Sequence, residues 1–293
     1  MSKHLIRFRT FYPNVSQSGT HPNSKLLNTI PIETSLDNAV CSDIAYMNQE
    51  SIDNLYNNTT YFDKYQVDFI KKCISKPYLY DNNVVNPGTK VDTQLVFFET
   101  QNENIFAFRG TDSFRDVLTD LRITRENLDN GVYVHKGFFN QFKVCEDFVL
   151  KHLNNDKKIV CTGHSLGGGL ATLCAYMLVK NNKVDPDNIS CVTFGSPRVG
   201  NKKFSSDFDN LIINKQRIIL ENDPITLFPT PMFYKHVSGC TWIKDSVIVT
   251  TFTYGSRWLS YVKHMFTSLF SDVPYPSNNH KIKNYINSLN KFK

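Results

Sequence analysis

The chain has 293 residues, 41% of them hydrophobic, which is enough to bury one large core and makes a single folded domain the natural count. Its 33 basic against 27 acidic side chains leave a formal charge of +6, and no basic stripe interleaved with aromatics is present, so nucleic-acid binding is not expected. Seven cysteines, an odd number spread along the chain without paired zinc spacing, do not make a disulfide framework; neither a metal nor a cofactor is expected.

Residues 1–34 are polar and punctuated by Pro13, Gly19, Pro22 and Pro31, which predicts an extended or partly disordered arm ahead of one domain over 35–293. The first residues carry charge but no following apolar stretch, so a conventional secretory signal is not expected. No run reaches transmembrane length. The resulting expectation is a cytoplasmic or peripheral membrane protein, and the positive charge is compatible with weak attraction to anionic surfaces. An apolar helix is expected around residues 39–46, and a strand over Ile105-Phe106-Ala107-Phe108. Then Phe114, Val117, Leu118 and Leu121 recur at helical spacing, with Arg115, Asp116, Asp120 and Arg122 on the other face.

The strongest local signal is Gly163-His164-Ser165-Leu166-Gly167, a G-x-S-x-G turn. Ahead of it, Lys158-Ile159-Val160-Cys161-Thr162 has strand length and β-branched residues at its centre; behind it, the apolar run from Gly168 to Val179 predicts a buried helix. A strand turning sharply into a helix lifts the serine hydroxyl to the tip of the turn, and glycine is needed on both sides because a Cβ would clash. The helix start then aims unpaired N–H groups at the place where an oxyanion forms. Ser165 is therefore the candidate nucleophile.

A serine hydroxyl is inert near neutral pH without a base, and the base needs an orienting group. Sequences with this elbow carry the acid and then the histidine downstream. Arg217-Ile218-Ile219-Leu220-Glu221-Asn222 predicts a parallel strand, and Asp223-Pro224 follows at its carboxyl end, where such sheets hold their sites. Asp223 also fits a plain turn before proline, but Asp185, Asp187, Asp207 and Asp209 sit in polar loop-like contexts and rank below it. Of the later histidines, His236 falls too early, near the next strand. His264 is carried on the body of a helix-periodic segment. His280 follows the loop 272–279 and precedes Ile282, Tyr285, Ile286 and Leu289, spaced as one face of a terminal helix. It is the candidate base.

With those residues placed, the chain resembles the class 3 lipases, the fungal and plant triacylglycerol lipases of the α/β-hydrolase fold. Residues Ile105 to Asp112 (IFAFRGTD) are similar to the family's oxyanion strand and loop, and Val134-His135-Lys136-Gly137-Phe138 to its VHxGF segment. Phe194-Gly195-Ser196-Pro197-Arg198-Val199-Gly200-Asn201 resembles FGxPRVGN, Asn222-Asp223-Pro224 the acid motif, and His280 with Tyr285 the final HxxxxY. These motifs run in family order from about residue 90 to the end. The resemblance implies a mostly parallel central sheet flanked by helices, with a short helical lid. It implies nucleophile Ser165, acid Asp223 and base His280. The oxyanion hole would come from Thr111, by its backbone N–H or hydroxyl, and from the N–H of Leu166. His135 and His164 read as structural neighbours of the site.

The family's lid position falls on Phe114, Val117, Leu118 and Leu121; the competing reading is a short helix packed permanently on the core. A second amphipathic stretch, 257–270, fits a packed helix better than a membrane-interface segment. The implied function is hydrolysis of carboxylic esters of acylglycerols or phospholipids by a Ser-His-Asp triad, on a lipid or ester substrate, with peripheral contact to a membrane or lipid-droplet surface. The alternative is a lipase-like scaffold that binds or signals without turnover.

Overall fold

A computed structural model describes residues 30–85, 91–111, 124–221, 223–244, 247–249 and 280–293. Ten strands and eight helices occupy those residues. An eight-stranded sheet is built from β1 (Tyr78–Asp81), β2 (Gln94–Glu99), β3 (Glu103–Phe108), β6 (Lys158–His164), β7 (Ile189–Phe194), β8 (Asn214–Leu220), β9 (Cys240–Lys244) and β10 (Val247–Val249), in that spatial order. From β3 through β9 neighbouring strands run parallel, while β1–β2, β2–β3 and β9–β10 are antiparallel. β4 (Arg125–Asp129) and β5 (Val132–His135) form a separate hairpin.

The helices are α1 (Ile32–Ile44), α2 (Gln49–Asn57), α3 (Lys64–Ile70), α4 (Asn82–Val85), α5 (Lys136–Lys151), α6 (Leu166–Lys180), α7 (Lys202–Leu211) and α8 (Ile282–Asn290). The expected N-terminal helix is α1. It starts at Ile32, inside the stretch expected to be an arm, because Pro31 accepts the first-turn N–H of Ser35 and the helix buries its Leu36, Ala39, Val40 and Ile44 face. Residues 1–29 lie outside the described residues.

Alternation along the strands sorts side chains into two cores, as period-2 geometry requires. Phe106 and Phe108 of β3 and Cys161 of β6 face α5, α6 and α7, packing with Phe138, Phe142, Leu170, Phe204 and Phe208. Ile105 and Ala107 of β3, Val160 of β6 and Phe194 of β7 face α1, α3 and α8, packing with Val40, Phe69, Tyr285 and Leu289. Burying both faces makes the central strands nearly continuous apolar runs. Helix α6 is apolar around most of its circumference because the sheet and α5 enclose it.

This layout brings the carboxyl ends of β6, β7 and β8 to one edge of the sheet. The predicted strand 217–222 is shifted: β8 starts at Asn214 and stops at Leu220, although Glu221 N–H still reaches Ile243 O at 2.9 Å. All seven cysteines are free, and six of them lie in the core or against it. No group of metal-ligating side chains occurs among the described residues, and no described helix is long and apolar enough to cross a membrane.

Candidate active site

Ser165 sits between β6 and α6 with φ 60° and ψ −129°, a conformation that costs an L-residue on the order of 1–3 kcal/mol. The surroundings hold it there. Its N–H continues the ladder to Phe194 O at 2.9 Å, and its carbonyl accepts Gly168 N–H at 3.0 Å. The glycine requirement is a matter of backbone approach. A Cβ on Gly163 would lie 2.3 Å from Gly167 O, and one on Gly167 would lie 2.1 Å from Phe108 O. The strand, the helix and β3 meet with no room for a methyl group.

Asp223 and His280 come to this turn from 58 and 115 residues downstream along the chain. Asp223 lies just beyond β8 and is buried; its N–H reaches back to Leu220 O at 3.3 Å and its Oδ1 accepts Ile225 N–H at 3.0 Å. His280 Nδ1 is 2.9 Å from both carboxylate oxygens of Asp223, and its Nε2 is 2.7 Å from Ser165 Oγ. A carboxylate offers only acceptors, so Nδ1 carries the proton and Nε2 accepts the serine O–H. Tyr285 on α8 donates a further short hydrogen bond to Asp223 Oδ2. The three residues singled out in the sequence therefore form one continuous hydrogen-bond chain. His236 is elsewhere, its Nε2 at 2.7 Å from Thr226 O. His264 lies outside the described residues.

Thr111 follows β3 across Arg109 and Gly110. The α-carbon of Gly110 lies directly on the elbow: a Cβ there would be 3.0 Å from Ser165 Cβ and 2.6 Å from His164 O. Thr111 is thus the next residue out from the nucleophile. Leu166, on the other side, opens α6, and first-turn N–H groups have no intrahelical acceptor. Leu166 thus adjoins Ser165 directly, and Thr111 follows the glycine that lies against the elbow. Phe114, Val117, Leu118 and Leu121, the expected lid, lie outside the described residues, as does 257–270.

Two residues around the site carry more than their sequence suggested. His164, expected only to pack beside the elbow, is hydrogen-bonded at both ring nitrogens. Its Nε2 faces the carbonyl of His280 at 2.5 Å and must be the N–H donor; its Nδ1 therefore accepts from Tyr46 O–H at 2.8 Å. Burial, and then the neighbouring His280, hold its pKa well below the usual histidine range, so it stays neutral. Tyr46, just past the end of α1, had no sequence signal at all. Its hydroxyl also abuts Gly110, where a Cβ would lie 2.4 Å from it. His135, read as structural, is buried against Phe138 and Tyr234.

Residues 105–233 match the family described as lipase (class 3). A lipase of Rhizopus niveus is 30% identical over 190 residues, which are 60% of this chain and 48% of the relative. A secreted mono- and diacylglycerol lipase of Fusarium solani is 28% identical over 180 residues, 58% of this chain and 53% of the relative. The chain thus spans about half the length of the curated relatives it matches. The solved lipase of Rhizopus microsporus var. chinensis superposes with a TM-score of 0.61 at 26% identity, covering 81% of this chain and 89% of that one. The central parallel sheet with helices on both faces is the α/β-hydrolase fold. Over the matched segment, which holds the Ser165 elbow, the turn at Gly110 and Asp223, this chain is similar to the class 3 lipases.

Proposed function

We propose that the protein is a serine-dependent lipase that hydrolyses carboxylic esters of acylglycerols or related lipids. The observation that carries this reading is the hydrogen-bond chain Ser165–His280–Asp223 on a strained strand-to-helix turn. His280 Nε2 takes the Ser165 Oγ proton as Oγ attacks the ester carbonyl. The tetrahedral oxyanion forms between the N–H groups of Leu166 and Thr111. Asp223 holds the His280 tautomer and stabilises the imidazolium; His280 then returns the proton to the leaving alcohol, and water cleaves the acyl-enzyme by the same route.

Ser165 is fully buried, so an ester needs an opening to reach Oγ. That requirement supports the lid role assigned by resemblance to Phe114, Val117, Leu118 and Leu121. Burying four such side chains at a lipid surface is worth roughly 1.5–3 kcal/mol each, enough to shift a closed–open balance. A cleft of about 540 Å³ lined by Tyr46, Met47, Tyr78, Leu79, Tyr80 and Arg109 lies beside the oxyanion turn and gives part of the substrate a place to lie. The mono- and diacylglycerol lipase among the relatives supports an acylglycerol substrate.

A fluorophosphonate probe with and without emulsified lipid tests the reading. The wild-type chain should label and the Ser165→Ala variant should not, with emulsified long-chain ester hydrolysed faster than dissolved short-chain ester. No labelling under either condition would give the non-catalytic scaffold the better claim.

A further inference from the structure

Beyond the carboxyl ends of β7 and β8, three segments meet beside the hairpin β4–β5. Gly200 bridges both Val134 and Lys235, and Lys235 N–H reaches Gly200 O at 2.8 Å. Between them lies a cleft of about 460 Å³ lined by Arg125, Arg198, Lys202, Met232, Phe233 and Lys235 among others, with no carboxylate in its wall among the described residues. The loop 228–235 presents two large apolar side chains at its tip outward: Met232 is 77% exposed and Phe233 39%. It is held firmly from below. Buried Arg198 reaches the carbonyls of Leu227 and Pro229 from its guanidinium, and its N–H meets Phe228 O at 2.8 Å. Buried Tyr234 donates to Thr124 O at 3.1 Å.

We propose that this loop, with Arg125, Lys202 and Lys235 around it, docks the protein on an anionic lipid surface. An apolar tip ringed by cations is complementary to a bilayer whose headgroups are negative and whose interior accepts Met232 and Phe233. Arg125, Lys202 and Lys235 form no ion pair with a described carboxylate; the Arg125 guanidinium instead lies over the rings of Tyr133 and Phe233, at 5.1 and 5.2 Å. Nearby Glu126 faces Lys136 at 3.8 Å and is not in the cleft wall. The net charge of +6 has the same sign. Gly200 follows β7 and the loop 228–235 follows β8, the next two strands after β6, whose end carries Ser165. The proposal deepens the lipid-ester reading and rests on it for purpose, while the binding it asserts is measurable without turnover.

The test is sedimentation of the full Ser165→Ala chain with vesicles of pure phosphatidylcholine and of equimolar phosphatidylcholine and phosphatidylglycerol. Binding should be stronger to the anionic vesicles and should weaken as salt rises. Each cation at such a surface is worth about fivefold in partitioning, so Lys202→Glu with Lys235→Glu should cut it at least about tenfold. In the Ser165 background these substitutions should leave soluble-ester hydrolysis and the melting temperature near wild type. Met232→Asp, which keeps every cation, should also weaken binding. Equal binding to both vesicles, no binding, or no response to charge reversal overturns the proposal. So does self-association without lipid that Met232→Asp abolishes, which would assign the face to a second copy. If anionic binding persists while the wild type neither labels nor hydrolyses, the lipase reading fails and the docking surface stands.

Discussion

The hydroxyl of Tyr46 donates to Nδ1 of His164 at 2.8 Å while lying against the backbone of Gly110. Through His164, whose opposite nitrogen donates to the carbonyl of His280, this one hydroxyl ties the turn at Gly110 to the segment bearing His280. Ser165, the turn at Gly110 and His280 come from three separate stretches of chain. A buried hydrogen-bond bridge is a direct way to keep their spacing fixed.

Tyr46→Phe removes the donor and leaves a buried acceptor unpaired, a loss of roughly 1–3 kcal/mol. The expected outcome is a fall in kcat of about tenfold on a dissolved ester with KM little changed, since the substitution keeps the ring that lines the cleft and removes only the hydroxyl bound to His164. Steady-state kinetics check it. A KM effect without a kcat effect would mean that Tyr46 only lines the adjoining cleft.

Ser165→Ala should remove hydrolysis by several orders of magnitude. Asp223→Asn should keep the fold, because the Ile225 N–H contact survives, yet lower turnover by up to about ten-thousand-fold by favouring the wrong His280 tautomer. His236→Ala, whose ring serves Thr226 O and not the triad, should retain substantial activity. A dead His236→Ala of unchanged stability would displace His280 as the base.

His164 couples stability to acid. Its folded pKa lies well below the unfolded value of about 6.5, because burial opposes the charged ring. Below that pH the unfolded chain binds a proton that the folded chain refuses. The stabilisation is therefore complete above about pH 6.5 and is lost as pH falls towards the folded pKa, with a limiting slope of about 1.4 kcal/mol per pH unit. Denaturant titrations of wild type and His164→Gln from neutral pH downwards should show the shallower slope in the variant. Parallel slopes would refute the assignment.

Gly167→Ala drives a Cβ to 2.1 Å from Phe108 O, and backbone cannot step aside cheaply. A loss of about 3 kcal/mol or more is expected, or failure to fold. Gly131→Ala has nothing within 4 Å but keeps φ +81°, so it should cost only about 1 kcal/mol. Thermal melts of the pair separate crowding from backbone strain, and equal losses would contradict the close approach.

How much of this was legible in the residues can be judged element by element. The Ser165 elbow could be read locally, because a strand ending in Gly-x-Ser-x-Gly before an apolar helix has one geometry compatible with its glycines. Asp223 and His280 were legible by order and by the elements around them: a proline after a strand, and a helical face starting at Ile282. Those are short-range signals of backbone direction. Tyr46 carried no such signal, since its partner His164 is 118 residues away and any apolar helix may end in a tyrosine. The same holds for the hydrogen bonds on both nitrogens of His164 and for the convergence of Arg125, Lys202 and Met232 on one cleft. Sequence by itself determined which groups are candidates for the site and which strands bury both faces, because each depends on neighbours along the chain. Only the tertiary structure decided what surrounds those groups, because parallel strands return to the same edge only after crossing the sheet through a helix, and contacts made there join residues far apart in sequence.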